Sequence, residues 1–245
     1  MVNILIPMAG KGSRFKEVGE VRPKPFIKIM GKTMIERVLE NLNCEGAHFI
    51  LIAQEKHLED YADIVNEICN KYSIEFVTID QITEGAACTC LFARRLINNS
   101  FPLVIANSDQ IIDIDFQEFI DDCFNKNLDG SIMTFKDLSM DPKWSFAAIG
   151  SDGLVSRVAE KMPISNQATV GIYMFKTGSI FIDSAIDMIA RNERTSNEFY
   201  VCPTYNFAIS NNSRIGIYEI NQNQMHGLGT PEDLKKFIEK NKKNG

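Results

Sequence analysis

The chain has 245 residues, of which 44% are hydrophobic and 24% are charged, and its formal net charge is −6 at pH 7. This length allows one large domain or two small ones, and the lack of any linker-like segment favours a single domain over residues 1–245. An acidic chain without a basic block excludes a nucleic-acid footprint. No apolar run approaches the ~20 residues that span a bilayer, and no charged leader precedes the first strand, so we expect a cytoplasmic protein without membrane insertion.

Apolar runs and amphipathic stretches alternate through the first half of the chain. Strands are predicted at residues 3–7, 48–53, 74–79 and 102–106. Helices are predicted at residues 33–42, 57–70 and 86–97. This alternation indicates an α/β fold with a mostly parallel central sheet and flanking helices. The helix at 33–42 is amphipathic, with Glu36, Arg37 and Glu40 facing water.

The second half predicts a small mixed β extension. Its strands are expected at residues 130–135, 145–149, 154–159, 168–175 and 215–219. Helices are expected at 178–190, at 199–209 and from Pro231 onward, where Thr230 is the predicted N-cap. The Asn/Lys-rich tail after Ile238 is expected to fray.

A glycine-rich loop, GKGSRF at residues 10–15, directly follows the first strand. A P-loop requires Ser or Thr after its Gly-Lys pair, but Gly12 follows Lys11 here. A dinucleotide-binding GxGxxG loop requires glycine where Phe15 stands. The remaining interpretation is a glycine turn that brings backbone N–H groups close to an anion, with Arg14 able to bind a phosphate through two hydrogen bonds.

A series of motifs in a fixed order then makes the chain resemble the sugar-phosphate nucleotidylyltransferases, also called NDP-sugar pyrophosphorylases. The motifs are MAGKGSRF at 8–15, PKP at 23–25, GKTMI at 31–35, NSDQ at 107–110, AEKMP at 159–163, ATVGIY at 168–173, NEFY at 197–200 and GTPEDL at 229–234. The resemblance implies a Rossmann-like fold of the nucleotide-diphospho-sugar transferase type. It also implies that the protein is a family member that serves capsule or polysaccharide synthesis. The implied reaction transfers NMP from an NTP to a phosphorylated acceptor, releases pyrophosphate and uses Mg²⁺.

The resemblance also implies roles for individual residues. Arg14 and the glycine loop would hold the β- and γ-phosphates, Lys24 would neutralise charge on the α-phosphate, and Lys161 would hold the acceptor phosphate. The implied nucleotide-binding residues are Met8, Ala9, Gly10, Lys11, Gly12, Ser13, Gln81, Gly85, Ala86 and Ser108. The implied acceptor contacts are Glu160, Gly171 and Glu198. Glu198 has an alternative role, as a capping carboxylate for the helix predicted from residue 199.

Asp109 is the expected magnesium ligand, because hard oxygen ligands and bridging phosphates suit that ion. An ordinary turn aspartate is the alternative interpretation. Many members of the family supply a second carboxylate before the last helix, and Gly227 stands at that position here. Either one carboxylate holds the metal, or His226 or Asp113 compensates for the missing one.

The substrates are less constrained than the reaction. A sugar 1-phosphate is the expected acceptor and a pyrimidine NTP the expected donor. A cytidylyltransferase acting on phosphocholine, glycerol phosphate or a phosphorylated amino acid is the alternative. A sugar-nucleotide-dependent glycosyltransferase would be expected to carry a DxD pair, which residues 108–110 do not form. A non-catalytic nucleotide-binding regulator is a further alternative, because of Gly227. Many relatives self-associate, so a homo-oligomer stays open.

Overall fold

The computed structural model describes residues 1–243. Its strands are β1 (Val2–Pro7), β2 (Lys28–Ile29), β3 (Lys32–Thr33), β4 (Ala47–Gln54), β5 (Ile74–Ile79), β6 (Leu103–Ala106), β7 (Gln110–Ile112), β8 (Gly130–Lys136), β9 (Ser145–Ile149), β10 (Val155–Glu160), β11 (Gln167–Phe175), β12 (Ile215–Ile220) and β13 (Met225–Gly227). Its helices are α1 (Ser13–Lys16), α2 (Met34–Asn41), α3 (Glu55–Asp60), α4 (Ala62–Lys71), α5 (Ala86–Leu91), α6 (Arg94–Ile97), α7 (Phe116–Asn125), α8 (Gly178–Ala190), α9 (Thr204–Ser210) and α10 (Pro231–Lys243). Short 3₁₀ turns cover Lys24–Phe26 and Gln222–Gln224.

Nine strands of the described chain form one mixed sheet, in the order β10-β9-β11-β6-β1-β4-β5, with β8 pairing to β11 and β12 pairing to β8. The strands β6, β1, β4 and β5 are parallel to one another. Strand β11 runs antiparallel to β6 and to β8, and β9 and β10 form an antiparallel pair. The predicted α/β fold with a mostly parallel central sheet and a mixed extension is therefore confirmed.

Strand β1 lies inside the sheet because both of its faces are apolar. Ile4 and Ile6 pack into one hydrophobic cluster, which contains side chains of α2 and α7. Leu5 packs into a second cluster, which contains side chains of α5 and α8. Since successive side chains of a strand point to opposite faces, this division places helices on both faces of the sheet.

Three predicted helices have different bounds in the structure. The helix predicted at 57–70 is divided at Tyr61 into α3 and α4, and the helix predicted at 86–97 is divided into α5 and α6. The helix predicted at 199–209 begins only at Thr204, because the backbone of Phe199 bonds to Glu84 and Ala87 instead of to its own helix. Strands β7 and β13 and helix α7 have no counterpart among the predicted elements.

Several surface predictions can also be compared with the structure. Glu36 was expected to face water but is 8% exposed, because Lys71 of α4 packs over it with Nζ 2.7 Å from Oε1. The Thr230 cap is confirmed, since its Oγ1 accepts from the backbone N–H of Asp233 at 3.1 Å. Residues 239–243 continue α10 rather than fray, and residues 244–245 lie outside the described chain. Among the described helices, none has both the length and the apolar content needed to cross a bilayer.

Candidate active site

A cleft of about 420 Å³ opens where β1 and β6 end. These neighbouring parallel strands deliver the glycine loop after Pro7 and the segment 107–109 after Ala106. Ligands of open α/β sheets bind outside the carboxyl ends of such strands, because the loops diverge there and leave a crevice. The 3₁₀ turn at Lys24–Phe26, the loop before α5 and the segment before α10 contribute the remaining walls.

The start of the glycine loop is held against the sheet by two hydrogen bonds with strand β4. The backbone N–H of Met8 donates to Ile52 at 2.8 Å, and the side-chain amide of Gln54 donates to the carbonyl of Ala9 at 2.8 Å. Gly12 has a φ of 60°, a conformation in which glycine carries no steric cost. These constraints present the backbone of the loop to the cleft.

Arg14 and Lys24 are brought into the cleft by buried neighbours. Phe15 is 4% exposed and anchors α1, which leaves Arg14 at the surface of the cleft. Phe26 is 1% exposed and anchors the 3₁₀ turn that carries Lys24. The ammonium of Lys24 donates to Asp109 Oδ2, so the two side chains form an ion pair inside the cleft.

Asp109 lies at the junction of three chain segments. Its carbonyl accepts from the backbone N–H of Leu228 at 2.7 Å, which ties the segment before α10 to the end of β6. A Cβ added to Gly229 would lie 2.5 Å from Asp109 Oδ2 and 3.9 Å from Lys24 Nζ. Only glycine therefore leaves room at position 229 for the Lys24–Asp109 pair.

Gly227 stands at the position where many family members carry a second carboxylate, and neither residue considered as its substitute is available at the cleft. Gly227 pairs with Gln110 between β13 and β7, and the nearest atom to a Cβ added there is Asp233 Oδ2 at 3.7 Å. Asp113 Oδ2 lies 2.7 Å from His226 Nε2 and 3.4 Å from Lys240 Nζ, and neither Asp113 nor His226 lines the cleft. The two residues considered as substitutes are therefore occupied with each other.

The donor set of the cleft fits Mg²⁺ as a site with one protein carboxylate. No group of three or more His, Cys, Asp and Glu side chains that could enclose an ion occurs among residues 1–243. Asp109 nevertheless offers a hard oxygen ligand at the carboxyl end of β6, on the cleft wall. Mg²⁺ keeps several waters and is commonly held by one or two carboxylates together with substrate phosphates, so one carboxylate suffices.

The loop before α5 forms the opposite wall of the cleft. Gly85 has a φ of 129°, and a Cβ there would lie 2.4 Å from the carbonyl oxygen of Phe199. The hydroxyls of Thr83 and Thr89 lie 2.6 Å apart, so one donates to the other, and both lie within hydrogen-bond distance of the carbonyl of Gly85, at 3.0 and 3.2 Å. Gln81, one of the predicted nucleotide-binding residues, is exposed and does not line the cleft.

Three of the predicted acceptor residues, Glu160, Lys161 and Glu198, are neighbours, and Glu198 is the one of them that lines the cleft. Lys161 Nζ donates to the hydroxyl of Tyr200 at 2.5 Å, and that hydroxyl donates to Glu198 Oε2 at 2.5 Å. The contact with Tyr200 raises the pKa of Lys161. Glu160 accepts from the hydroxyl of Ser145, and burial raises the pKa of its carboxyl. The alternative role of Glu198 as a helix cap is wrong, because no helix begins near residue 199.

Gly171 reaches the cleft through Asn107. The carbonyl of Gly171 accepts from the backbone N–H of Asn107 at 3.1 Å, and a Cβ at 171 would lie 2.2 Å from Asn107 Nδ2. Asn107 also donates to Gln110 Oε1 at 2.8 Å and lines the cleft. Gly171 thus holds a cleft residue in place rather than forming the wall itself.

Most of the predicted site residues line one cleft. Those on its wall are Met8, Ala9, Gly10, Gly12, Ser13, Arg14, Lys24, Gly85, Ala86, Ser108, Asp109 and Glu198. Those off its wall are Lys11, Gln81, Glu160, Lys161 and Gly171. The sequence reading missed Thr83, Thr89, Asn107, Tyr200 and Gly229. Asn107, Tyr200 and Gly229 belong to motifs already quoted, and Thr83 lies between the predicted Gln81 and Gly85, so only the roles of these four went unassigned. Thr89 carried no signal.

The fold and the cleft define an α/β protein whose cleft, at the end of its parallel strands, is lined by basic side chains and by the carboxylates of Asp109 and Glu198. The chain matches the nucleotidyl transferase family over residues 4–241 and belongs to that family. The expectation of a nucleotidyltransferase enzyme is confirmed at the level of the family.

Several named proteins are similar to this chain. A mannose-1-phosphate guanylyltransferase catalytic subunit beta of Drosophila pseudoobscura pseudoobscura is 25% identical over 175 residues, 70% of this chain and 47% of that protein. A bifunctional protein GlmU of Methanocaldococcus jannaschii is 26% identical over 176 residues, 71% of this chain and 40% of that protein. The chain thus spans less than half the length of these two relatives.

Solved structures share the fold over almost the entire chain. A nucleoside-diphosphate-sugar pyrophosphorylase from Vibrio cholerae RC9 aligns with a TM-score of 0.83 at 24% identity, covering 96% of this chain and 99% of that one. A UDP-glucose pyrophosphorylase in complex with UDP-glucose aligns with a TM-score of 0.80 at 18% identity, covering 100% of both chains. At these identities the likeness establishes the fold.

Proposed function

We propose that this protein transfers a nucleoside monophosphate from an NTP to a phosphorylated acceptor and releases pyrophosphate. The observation that carries the proposal is the convergence of Arg14, Lys24 and Asp109 on one cleft with the backbone of the glycine loop. A triphosphate needs this combination, because its charge must be offset at several oxygens at once.

The proposed reaction requires cationic side chains and no general base. The acceptor phosphate attacks the α-phosphorus, the bond from that phosphorus to the bridging oxygen breaks, and pyrophosphate leaves with the electron pair. A phosphate monoester has a second pKa near ~6, so the attacking oxygen is already ionised at neutral pH. Unit charges ~4 Å apart repel by about 4 kcal/mol at an effective dielectric of ~20, and the two phosphates carry more than one charge each.

Each cationic residue then has a defined task. Arg14 and the backbone of the glycine loop hold the β- and γ-phosphates, and Lys24 offsets charge on the α-phosphate during transfer. Lys161 binds the acceptor phosphate next to Glu198 and Tyr200. Positioning and charge stabilisation of this kind supply most of the rate in phosphoryl transfer.

Asp109 would hold Mg²⁺ together with phosphate oxygens of the nucleotide. Bound there, the ion would supply further neutralisation of phosphate charge. The donor set on the cleft wall supports this assignment, since one carboxylate plus phosphates is a composition that Mg²⁺ accepts.

A sugar 1-phosphate is the acceptor we infer, and surface polysaccharide synthesis is the process we propose for it. The names of the relatives support a sugar phosphate. The neighbouring structure in complex with UDP-glucose favours a pyrimidine donor, whereas the guanylyltransferase name of a relative favours a purine. Phosphocholine, glycerol phosphate and phosphorylated amino acids form the second group of candidate acceptors.

Pyrophosphate release tests the proposal directly. ATP, GTP, CTP, UTP and dTTP would each be combined with mannose 1-phosphate, glucose 1-phosphate, N-acetylglucosamine 1-phosphate, phosphocholine, glycerol phosphate and phosphoserine. We expect acceptor-dependent pyrophosphate for at least one pair, and a strongly reduced rate with Asp109→Asn at the same Mg²⁺ concentration. A glycosyltransferase would instead consume an NDP-sugar without releasing pyrophosphate, and a regulator would bind nucleotide without turnover.

A further inference from the structure

The ion pair between Lys24 and Asp109 occupies the carboxylate that the proposed function assigns to a metal. The side chains of Lys24 and Asp109 are 21% and 20% exposed, so the pair is accessible from the cleft rather than sealed in the core. The lysine contacts Oδ2, which is also the oxygen that Gly229 would crowd if it carried a Cβ. One side of this oxygen is therefore bounded by the backbone and another by the ammonium.

The cleft has no second acidic group beside this pair. Of the residues that line it, only Asp109 and Glu198 are acidic. Glu198 accepts the hydroxyl hydrogen of Tyr200 at 2.5 Å and lies with the predicted acceptor residues. Within residues 1–243 no cluster of three or more metal-ligating side chains could hold an ion independently. A divalent cation that binds Oδ2 of Asp109 must therefore displace the ammonium of Lys24.

We propose that in the nucleotide-free protein Lys24 takes the place of the metal on Asp109 and prevents a free divalent cation from binding. The inference rests on the proposed function, because it assumes that Asp109 is the metal ligand of a triphosphate site. A triphosphate draws the ammonium toward its own oxygens and supplies further ligands for the ion. The metal consequently enters together with the nucleotide, and not before it.

Two physical reasons support this order, and Arg14 offers a control for the general charge of the cleft. A single carboxylate provides too few ligands for Mg²⁺, which needs six oxygens, so most of the affinity must come from phosphates and water. The ammonium and a divalent ion at the same oxygen repel each other, which opposes binding of both. Arg14 lies in the same cleft without a contact to Asp109, so removing its charge does not open the carboxylate.

Electron paramagnetic resonance of Mn²⁺ alone provides a readout that needs neither nucleotide nor turnover. The signal of free Mn²⁺ would be titrated with the unaltered protein and with Lys24→Met, Arg14→Met, Asp109→Asn and the double variant Lys24→Met/Asp109→Asn. We expect Lys24→Met to bind Mn²⁺ at least about tenfold more tightly than the unaltered protein, a change of about 1.4 kcal/mol. Arg14→Met should change the affinity less than about threefold, and the double variant should lose the gain.

Three outcomes of the Mn²⁺ titration would contradict the inference. Equal affinity for Lys24→Met and the unaltered protein would show that the lysine does not block the site. An equal gain in Arg14→Met would assign the effect to the general charge of the cleft, and a gain that survives in the double variant would place the ion elsewhere. Thermal melting of every variant checks that each one is folded.

This experiment separates the inference from the proposed function. If Lys24→Met binds Mn²⁺ more tightly but the protein transfers no nucleotide, the inference about Lys24 holds and the proposed transferase activity is rejected. Acceptor-dependent pyrophosphate release with equal Mn²⁺ affinities would keep the transferase and reject the block.

Discussion

The backbone of Gly85 lies against the backbone of Phe199, so closely that a methyl group at position 85 would be 2.4 Å from the carbonyl oxygen of Phe199. This contact joins the loop before α5 to the segment that carries Glu198 and Tyr200. The carbonyl of Phe199 also accepts from the N–H of Ala87 at 3.0 Å. The loop before α5 and the segment with Glu198 and Tyr200 are therefore parts of one hydrogen-bonded unit.

Gly85→Ala should lower stability and weaken nucleotide binding together. The added methyl must push Phe199 away, and the φ of 129° is strained for alanine, so we expect a loss of about 1–3 kcal/mol. Thermal melting and the KM for the NTP measure the two effects. Gly153→Ala is the matched control, because Gly153 has a φ of 81° with nothing within 4 Å of an added Cβ. Equal melting temperatures for both variants would show that the contact is unimportant.

Lys24→Ala should reduce the rate of nucleotide transfer at least about tenfold, which corresponds to about 1.4 kcal/mol of transition-state stabilisation. The charge that Lys24 offsets grows during transfer, so kcat should fall more than binding weakens. Single-turnover assays measure the effect. Lys28→Ala removes an exposed lysine of β2 that does not line the cleft, and it should retain full activity. If Lys24→Ala kept more than about a tenth of the rate of the unaltered protein, the assigned role would be excluded.

Asp109→Asn should raise the Mg²⁺ concentration that gives half-maximal activity by about tenfold or more, because a neutral amide is a weaker ligand than a carboxylate. Asp113→Asn should leave that concentration unchanged, since Asp113 bonds to His226 at 2.7 Å away from the cleft. Activity across a Mg²⁺ titration checks both variants. If Asp113→Asn alone changed the Mg²⁺ concentration for half-maximal activity, Asp113 rather than Asp109 would be the metal ligand.

Tyr200→Phe should raise the KM for the acceptor several-fold while leaving the KM for the NTP nearly constant. The hydroxyl separates Lys161 from Glu198, and without it the ammonium is free to pair with the carboxylate instead of the acceptor phosphate. Tyr218→Phe is the control, because the Tyr218 hydroxyl also donates to a glutamate, at 3.2 Å, but that glutamate is Glu118 of α7 and not one of the predicted acceptor residues. Equal acceptor KM values for the two variants would contradict this role.

Glu160 predicts a pH dependence of stability. Burial raises the pKa of its carboxyl in the folded protein above the ordinary 4.5, so the folded state favours the protonated form. The stabilisation is complete below pH 4.5 and is lost as the pH rises through the raised pKa. Glu160→Gln should therefore gain stability relative to the unaltered protein between pH 4.5 and neutrality. Urea unfolding at a series of pH values measures this, with Glu59→Gln at an exposed position as the control.

Local patterns predicted much of this fold. Continuous apolar runs predicted β1, β4, β5 and β6, because strands buried on both faces need no alternation. Thr230 followed by Pro231 predicted the start of α10. The glycine turn and Arg14 predicted an anion loop after β1, since chain order alone places them at the carboxyl end of the strand.

Elements that depend on distant partners were not predictable in this way. Strands β7 and β13 have three residues each, too few for a periodic pattern, and they exist because they pair with each other. The segment after Glu198 has a helical pattern, but its backbone bonds to the loop before α5 instead. Glu36 lies on the polar face of its own helix and is covered by Lys71 from another helix.

The sequence by itself determined which residue types are available for phosphate chemistry and their order along the chain. Only the tertiary structure decided which of them meet: Lys24 pairs with Asp109, 85 positions away, and Lys161 with Tyr200, 39 positions away. Motif spacing along the chain says nothing about such contacts, because sheet order and loop packing bring the segments together. Gly229 shows the same limit, since its lack of a side chain matters only beside Asp109.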